Sequence, residues 1–192
     1  MSDTPNAIEA ITAHKPSPGE KFFPKFEVTP ELVAEAAALV DQYPEGKEQS
    51  AVLPIIHMIQ EKFGYVCPES LPWIAEMCKS TPIHVSGVAS FYPGIHTMCP
   101  GKYHFRVCRT IACSLSGGEE LIPYICSKIG VDPASITDEE PMAVSPDGLW
   151  SIEPVECLAN CGFGPNLLLN EKLYSQVTRK KIDEIIAEYK NK

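Results

Sequence analysis

Four cysteines in two close pairs are the residues of this sequence best suited to chemistry. Four residues separate Cys108 from Cys113, three separate Cys157 from Cys161, and 43 residues lie between the pairs. Each pair is tight enough for one loop to direct two sulfur atoms at a metal ion. The intervening stretch is long enough for a helix and a hairpin that bring the two pairs together. The pattern therefore predicts a metal site with four thiolate ligands.

The spacing of the cysteines narrows the choice of metal. Structural zinc sites use cysteines about two to four residues apart, often together with histidine. Neither of the stretches around the two pairs, 107–114 and 156–165, contains a histidine. The four-residue gap of the first pair is that of plant-type [2Fe–2S] loops. The third ligand of those ferredoxins is absent here, because Ser116 stands at its position. The spacing favours an iron–sulfur site on another fold, with a zinc-stabilised interaction module as the alternative.

Other uses of cysteine fit this sequence less well. A thioredoxin-type dithiol enzyme needs Cys-x-x-Cys, which the sequence lacks, and disulfide frameworks belong to small secreted chains. The remaining cysteines are expected to be buried thiols without a role in metal binding. They are Cys67, Cys78, Cys99 and Cys126.

Composition limits the class of protein. The chain has 192 residues, of which 44% are hydrophobic, enough for one ordinary domain or two small ones with real cores. The net charge of -9 argues against a nucleic-acid partner, because phosphate binding needs clustered lysines and arginines. The N-terminus lacks the basic start and apolar run of a signal peptide. We therefore expect a cytoplasmic protein that does not insert into a membrane.

The first half of the chain predicts an arm followed by helices. Residues 1–28 are rich in proline and have no helical or strand period, which indicates an extended or disordered arm. Residues 29–98 predict a small helical bundle, in which Thr29-Pro30 and Thr81-Pro82 are typical helix starts. Three aromatic residues of the arm are candidates for clamping it to its own domain or to a partner chain: Phe22, Phe23 and Phe26.

Residues 99–192 predict a thioredoxin-like α/β domain. The stretch 103–107 alternates like a strand and delivers Cys108 at its end, and a hairpin turned at Pro146-Asp147-Gly148 leads to Cys157. Both cysteine pairs thus fall in loops that follow strands, where ligand sites on such sheets usually lie. The predicted fold class is α+β, a small helical bundle followed by a thioredoxin-like domain that carries the metal site.

Short motifs outside the cysteine pairs match a known family over about residues 29–190. They include Tyr43-Pro44, Leu53-Pro54, Phe63-Gly64, the run from Gly87 to Tyr92, Pro100-Gly101-Lys102 and Glu156-Cys157-Leu158. On these motifs the chain resembles the thioredoxin-like [2Fe–2S] ferredoxin subunit of NADH:quinone oxidoreductase, which is respiratory complex I. Some formate dehydrogenases and hydrogenases share this subunit in their diaphorase modules. Three small residues differ from those usual in the family. Ser90 stands where Thr is usual, Ala159 where Gly is usual, and Gly164 where Ala is usual.

The resemblance implies a cofactor and partners. It implies that Cys108, Cys113, Cys157 and Cys161 bind one [2Fe–2S] cluster and that FMN and NADH bind to a neighbouring subunit. The sequence agrees with nucleotide binding on a neighbouring subunit, since it contains no Gly-x-Gly-x-x-Gly motif. The large multi-cluster iron–sulfur subunit is a second partner that the resemblance allows. The chain would then lie peripheral to the inner membrane through the complex, as an electron-transfer subunit of complex I. The same subunit in an NAD-dependent formate dehydrogenase or hydrogenase is the alternative.

Glycines cluster beside the proposed ligands. Without a side chain to hold the backbone away, their N–H groups would be able to reach the sulfur atoms of a cluster. Ordinary turns would explain the same residues equally well. The four are Gly117, Gly118, Gly162 and Gly164.

Overall fold

The computed structural model describes residues 16–190, so that the first half of the predicted arm lies outside the described residues. The chain divides into two compact units. The first contains Phe23–Cys99, and the second contains Ser17–Phe22 and the residues from Pro100 onward. Within the described part, none of the helices is long and apolar enough to cross a membrane.

Four helices build the described part of the first unit. Two of them begin at threonine caps: the hydroxyls of Thr29 and Thr81 accept hydrogen bonds from the backbone N–H groups of Leu32 and His84. A 3-10 turn, Glu48–Ala51, precedes the second helix. The helices are α1 (Pro30–Val40), α2 (Val52–Phe63), α3 (Ser70–Met77) and α4 (Pro82–Phe91).

Isoleucines from two of these helices form the centre of the first core. Ile55, Ile56 and Ile59 of α2 and Ile74 of α3 are fully buried, because the apolar residues recur with the helical period. Two arm aromatics join residues of the same unit. The ring of Phe26 lies 5.4 Å from Phe63 and 6.0 Å from Trp73 between centroids, and that of Phe23 lies 6.5 Å from Tyr65. Phe22, in contrast, is 38% exposed.

A five-stranded mixed sheet forms the second unit. The strands are β1 (Tyr103–Cys108), β2 (Ala143–Val144), β3 (Trp150–Val155), β4 (Leu167–Leu169) and β5 (Lys172–Tyr174). Their order across the sheet is β2-β3-β1-β4-β5. The two long strands, β1 and β3, run parallel, and the other neighbours run antiparallel. This is the arrangement expected of a thioredoxin-like sheet with a short extra strand, β2, at one edge.

Three helices accompany the sheet: α5 (Ile111–Leu115), α6 (Gly118–Ile129) and α7 (Arg179–Lys190). The longer two turn an apolar face inward, where Leu121, Ile125, Ile182 and Ile185 are buried. The hairpin agrees with the prediction from the sequence. Neither α5 nor β5 was predicted, because five and three residues are too few for a hydrophobic period to stand out.

Hydrogen bonds within the second unit hold the polar side chains of β1 in place. His104 contacts the hydroxyl of Ser151 through Nδ1 at 2.8 Å and a carboxylate oxygen of Glu153 through Nε2 at 3.2 Å. The guanidinium of Arg106 donates through Nη2 to the carbonyl of Asn170 at 3.0 Å. Burial is the main reason that the pKa of His104 lies below its usual value, although Glu153 opposes the shift. These contacts therefore hold one face of the strand that ends in Cys108.

Substitution of Ile152 provides a test of side-chain packing in the hydrophobic core of the second unit. Ile152 is 0% exposed on β3 and lies opposite Phe105 of β1 and Ala143 of β2. Ile152→Ala should lower the free energy of unfolding by about 2–5 kcal/mol, because it leaves a cavity among close-packed residues. Urea denaturation of the full chain measures the change. Leu173→Ala is the control, since Leu173 on the edge strand is 43% exposed and should cost about 0.5 kcal/mol or less. Equal losses in both variants would contradict this account of the core.

Candidate metal centre

Two neighbouring parallel strands bring the cysteine pairs to one edge of the sheet. The register of β1 and β3 runs from Tyr103 opposite Trp150 to Cys108 opposite Val155. Carboxyl ends of parallel strands meet at the same edge, so the loop after β1 and the loop after β3 are adjacent. The backbone N–H of Arg109 joins them by donating to the carbonyl of Val155 at 2.9 Å.

The first pair is buried. Cys108 is the last residue of β1 and Cys113 lies in the short helix α5, and each is 1% exposed. The backbone N–H of Cys108 donates to the carbonyl of Asn166 at 3.1 Å. At the start of α6, Gly118 approaches the backbone of both cysteines: a Cβ on this residue would lie 2.8 Å from the Cys113 oxygen and 3.2 Å from the Cys108 oxygen. The pair therefore depends on a close approach that only glycine permits.

The second pair is exposed. Cys157 follows β3, Cys161 begins a 3-10 turn, and their sulfur atoms lie 3.2 Å apart. The backbone N–H of Ala159 donates to the sulfur of Cys157 at 3.3 Å. Ala159 has φ 58, in the left-handed region that favours glycine. This backbone conformation explains why a glycine is usual at this position in the family that the sequence resembles.

Polar side chains that no sequence motif had indicated surround the sulfur atoms. The hydroxyl of Thr110 lies 3.1 Å from the sulfur of Cys108. The buried amide of Asn166 lies 3.5 Å from the sulfur of Cys113 and donates to the carbonyl of Asn160 at 2.7 Å. Asparagine and threonine are common in turns of any kind, so a single sequence gives no signal that separates these residues from others.

The four thiols influence one another's protonation. Within the second pair, the hydrogen bond between the two sulfurs lowers the pKa of Cys157 and raises that of Cys161. In the first pair, burial raises the pKa of Cys113. Burial also acts to raise the pKa of Cys108, but hydrogen bonds, led by those of Thr110, outweigh it and leave the pKa below its usual value. The backbone N–H of Leu158, from the second loop, is one of these donors, so the two pairs share one environment.

Residues that flank Cys108 and Cys157 form an ion pair across the two loops. Arg109 donates through Nε and Nη2 to one carboxylate oxygen of Glu156, at 3.2 and 3.1 Å. Their side chains are 53% and 60% exposed, and pairs of this kind contribute little to stability. The ion pair therefore joins the two loops but contributes little to the stability of the fold.

This donor set fits an iron–sulfur cluster. Four thiols from two adjacent loops supply the ligands that a [2Fe–2S] cluster uses. Backbone N–H groups and a hydroxyl face the sulfurs, as partners that orient metal ligands do. Four thiolates would also suit structural zinc. The remaining cysteines, Cys67, Cys78, Cys99 and Cys126, are buried and lie in no disulfide; burial raises the pKa of Cys78 to about 11.

Comparison with known proteins separates these two chemistries. The sequence model of a family described as thioredoxin-like [2Fe-2S] ferredoxin matches residues 36–190. NADH-quinone oxidoreductase subunit 2 of Thermus thermophilus is 36% identical over 76% of this chain and 77% of its own length. A subunit of the NADH-quinone oxidoreductase of Aquifex aeolicus is 32% identical over 88% of this chain and 99% of its own length. These relatives are subunits of an oxidoreductase complex.

Hydrogenases also contain similar chains. The HndA subunit of the NADP-reducing hydrogenase of Solidesulfovibrio fructosivorans is 30% identical over 89% of this chain and 95% of its own length. Among solved structures, an NAD+-reducing [NiFe]-hydrogenase in the air-oxidized state superposes with a TM-score of 0.62 at 16% identity, over 78% of this chain. The match spans 24% of that hydrogenase chain. At this identity the superposition shows a shared fold.

Proposed function

Because this chain belongs to the thioredoxin-like [2Fe–2S] ferredoxin family, we propose that it is the electron-transfer subunit of an NADH:quinone oxidoreductase. The single observation that carries the proposal is the parallel pairing of β1 and β3, which supports one four-thiolate site built from two loops. We propose Cys108, Cys113, Cys157 and Cys161 as its ligands. When bound, a [2Fe–2S] cluster supplies one-electron redox chemistry.

The residues of this chain would hold and tune the cofactor. The four thiols would bind it, and the amide of Asn166 and the N–H of Ala159 donate to proposed ligand sulfurs, while the hydroxyl of Thr110 lies 3.1 Å from the sulfur of Cys108. The buried first pair excludes water from one side, while the exposed second pair leaves the other side accessible. Electrons would enter and leave through this accessible side, where the path to an outside donor is shortest.

The redox partner is a further part of the proposal. Oxidation of NADH delivers two electrons as a hydride, whereas the family cofactor exchanges one. This mismatch supports an FMN- and NADH-binding site on a partner subunit, with the large multi-cluster iron–sulfur subunit as a second neighbour. Membership of such a complex would make this chain peripheral to the inner membrane on the cytoplasmic side.

Metal and sulfide analysis tests the proposed function. Full-length protein purified without air should contain about two irons and two acid-labile sulfides per chain. Its visible absorption should bleach with dithionite, and a low-temperature EPR signal should appear on reduction. A colourless protein with about one zinc and no sulfide would instead mean that the cysteines are structural, and the electron-transfer proposal would fail.

A diaphorase module of a hydrogenase is the second candidate, favoured by the similarity to HndA over 89% of this chain. The site chemistry would be the same, but the partner complex would reduce a nicotinamide cofactor with electrons from hydrogen. Purification of the tagged chain with its native partners distinguishes the two. Co-purifying quinone-reductase activity supports the first candidate, and co-purifying hydrogenase activity supports the second.

A further inference from the structure

Thr110 stands at a helix start without capping the helix. It precedes α5 with φ -74 and ψ 161, as N-cap residues do, but its side chain accepts no hydrogen bond from that helix. Three other threonines at helix starts do accept such a bond. The hydroxyls of Thr29, Thr81 and Thr178 accept from the backbone N–H three residues later. The usual role of a threonine at this position therefore does not explain Thr110.

The hydroxyl of Thr110 faces the cysteines instead. Its oxygen lies 3.1 Å from the sulfur of Cys108. Thr110 thus contacts a proposed ligand of the first pair. It lies half-buried in the loop that follows β1, two residues from that ligand.

Metal binding fixes the direction of this hydrogen bond. A thiol can donate or accept, but a thiolate bound to a metal has no proton and can only accept. The hydroxyl must then be the donor. A hydrogen bond to a charged acceptor is about twice as strong as one between neutral groups, so the interaction strengthens when the ligands are bound.

We propose that Thr110 is a positioning residue that donates a hydrogen bond to the ligand sulfur of Cys108 and raises the reduction potential of the cluster. The inference rests on the proposed function. Adding an electron increases the negative charge on the cluster and its sulfurs. A donor aimed at a ligand sulfur therefore stabilises the reduced state more than the oxidised state.

Two substitutions at Thr110 and one elsewhere test the proposal. Thr110→Val keeps the shape of the side chain and removes the hydroxyl, whereas Thr110→Ser keeps the hydroxyl. Thr178→Val is the matched control, since it removes a threonine hydroxyl that caps α7 in the same unit. The measurement is a potentiometric titration of the full-length, anaerobically purified protein, followed by visible absorption and by EPR of the reduced form.

The expected result is a more negative potential for Thr110→Val, with changed EPR g values, and potentials close to that of the parent protein for Thr110→Ser and Thr178→Val. Loss of the cluster from the valine variant with its retention in the serine variant also supports the proposal. An unchanged potential in Thr110→Val, or equal effects of valine and serine, would overturn it. A parent protein without iron and sulfide would refute the proposed function instead, so the two failures are distinguishable.

Discussion

Cys157→Ala should remove the [2Fe–2S] cluster from this protein. Cys157 is exposed, accepts a hydrogen bond from the Ala159 N–H and lies 3.2 Å from the sulfur of Cys161. Because four thiolates hold a [2Fe–2S] cluster, the alanine variant would be one proposed ligand short. Loss of a residue that only hydrogen-bonds to a metal ligand commonly lowers the metal affinity 10–100-fold. Loss of a ligand itself should lower that affinity by at least about tenfold. Iron and sulfide per chain, with the EPR signal of the reduced protein, measure the effect.

Cys126→Ala is the control for this experiment. Cys126 is also a free cysteine of the second unit, but it is 0% exposed within the core and its pKa is raised by burial. The alanine variant should keep the iron content and the EPR spectrum of the parent protein. A cluster lost from Cys126→Ala and kept in Cys157→Ala would refute the ligand assignment.

Gly118→Ala should damage the site through the backbone. The added Cβ would lie 2.8 Å from the oxygen and 3.0 Å from the carbonyl carbon of Cys113, and 3.2 Å from the oxygen of Cys108. These are backbone atoms of both proposed ligands, so relief requires the ligands themselves to move. We expect a loss of about 1–3 kcal/mol in the free energy of unfolding, as for other overpacked sites, together with a lower iron content.

Gly162→Ala provides the matched comparison. Gly162 adjoins the proposed ligand Cys161, yet a Cβ on it would meet nothing within 4 Å. Urea denaturation and iron analysis of both variants should therefore show a defect at Gly118 and none at Gly162. Similar behaviour of the two variants would mean that close approach at Gly118 is unimportant.

Local sequence patterns predict several elements of the fold correctly. The alternation over 103–107 predicts β1, and Thr29-Pro30 and Thr81-Pro82 predict two helix starts that the structure confirms. The hairpin turned near Asp147 is also confirmed. In each case the physical cause lies within a few residues of the chain, as a cap, a turn or a two-residue period.

Features that depend on distant parts of the chain could not be predicted in this way. The pairing of Cys108 with Val155 in the register of β1 and β3 joins residues far apart in sequence, which no local period reveals. The four glycines near the cysteines illustrate the same limit. Gly118 is required by a close approach, while Gly117, with φ +90, begins α6 in a left-handed conformation. Only the folded backbone distinguishes these two reasons for a glycine.

The unequal burial of the two cysteine pairs determines which cysteines of the isolated chain are oxidised first. Sulfur oxidation follows solvent access, and Cys157 and Cys161 are exposed whereas Cys108 and Cys113 are each 1% exposed. Attack by dissolved oxygen or peroxide should therefore begin at the second pair. The first pair would stay reduced for longer, so that mild damage leaves half of the proposed ligands intact. A thiol reductant would have to restore the second pair before fresh iron and sulfide could rebuild the site.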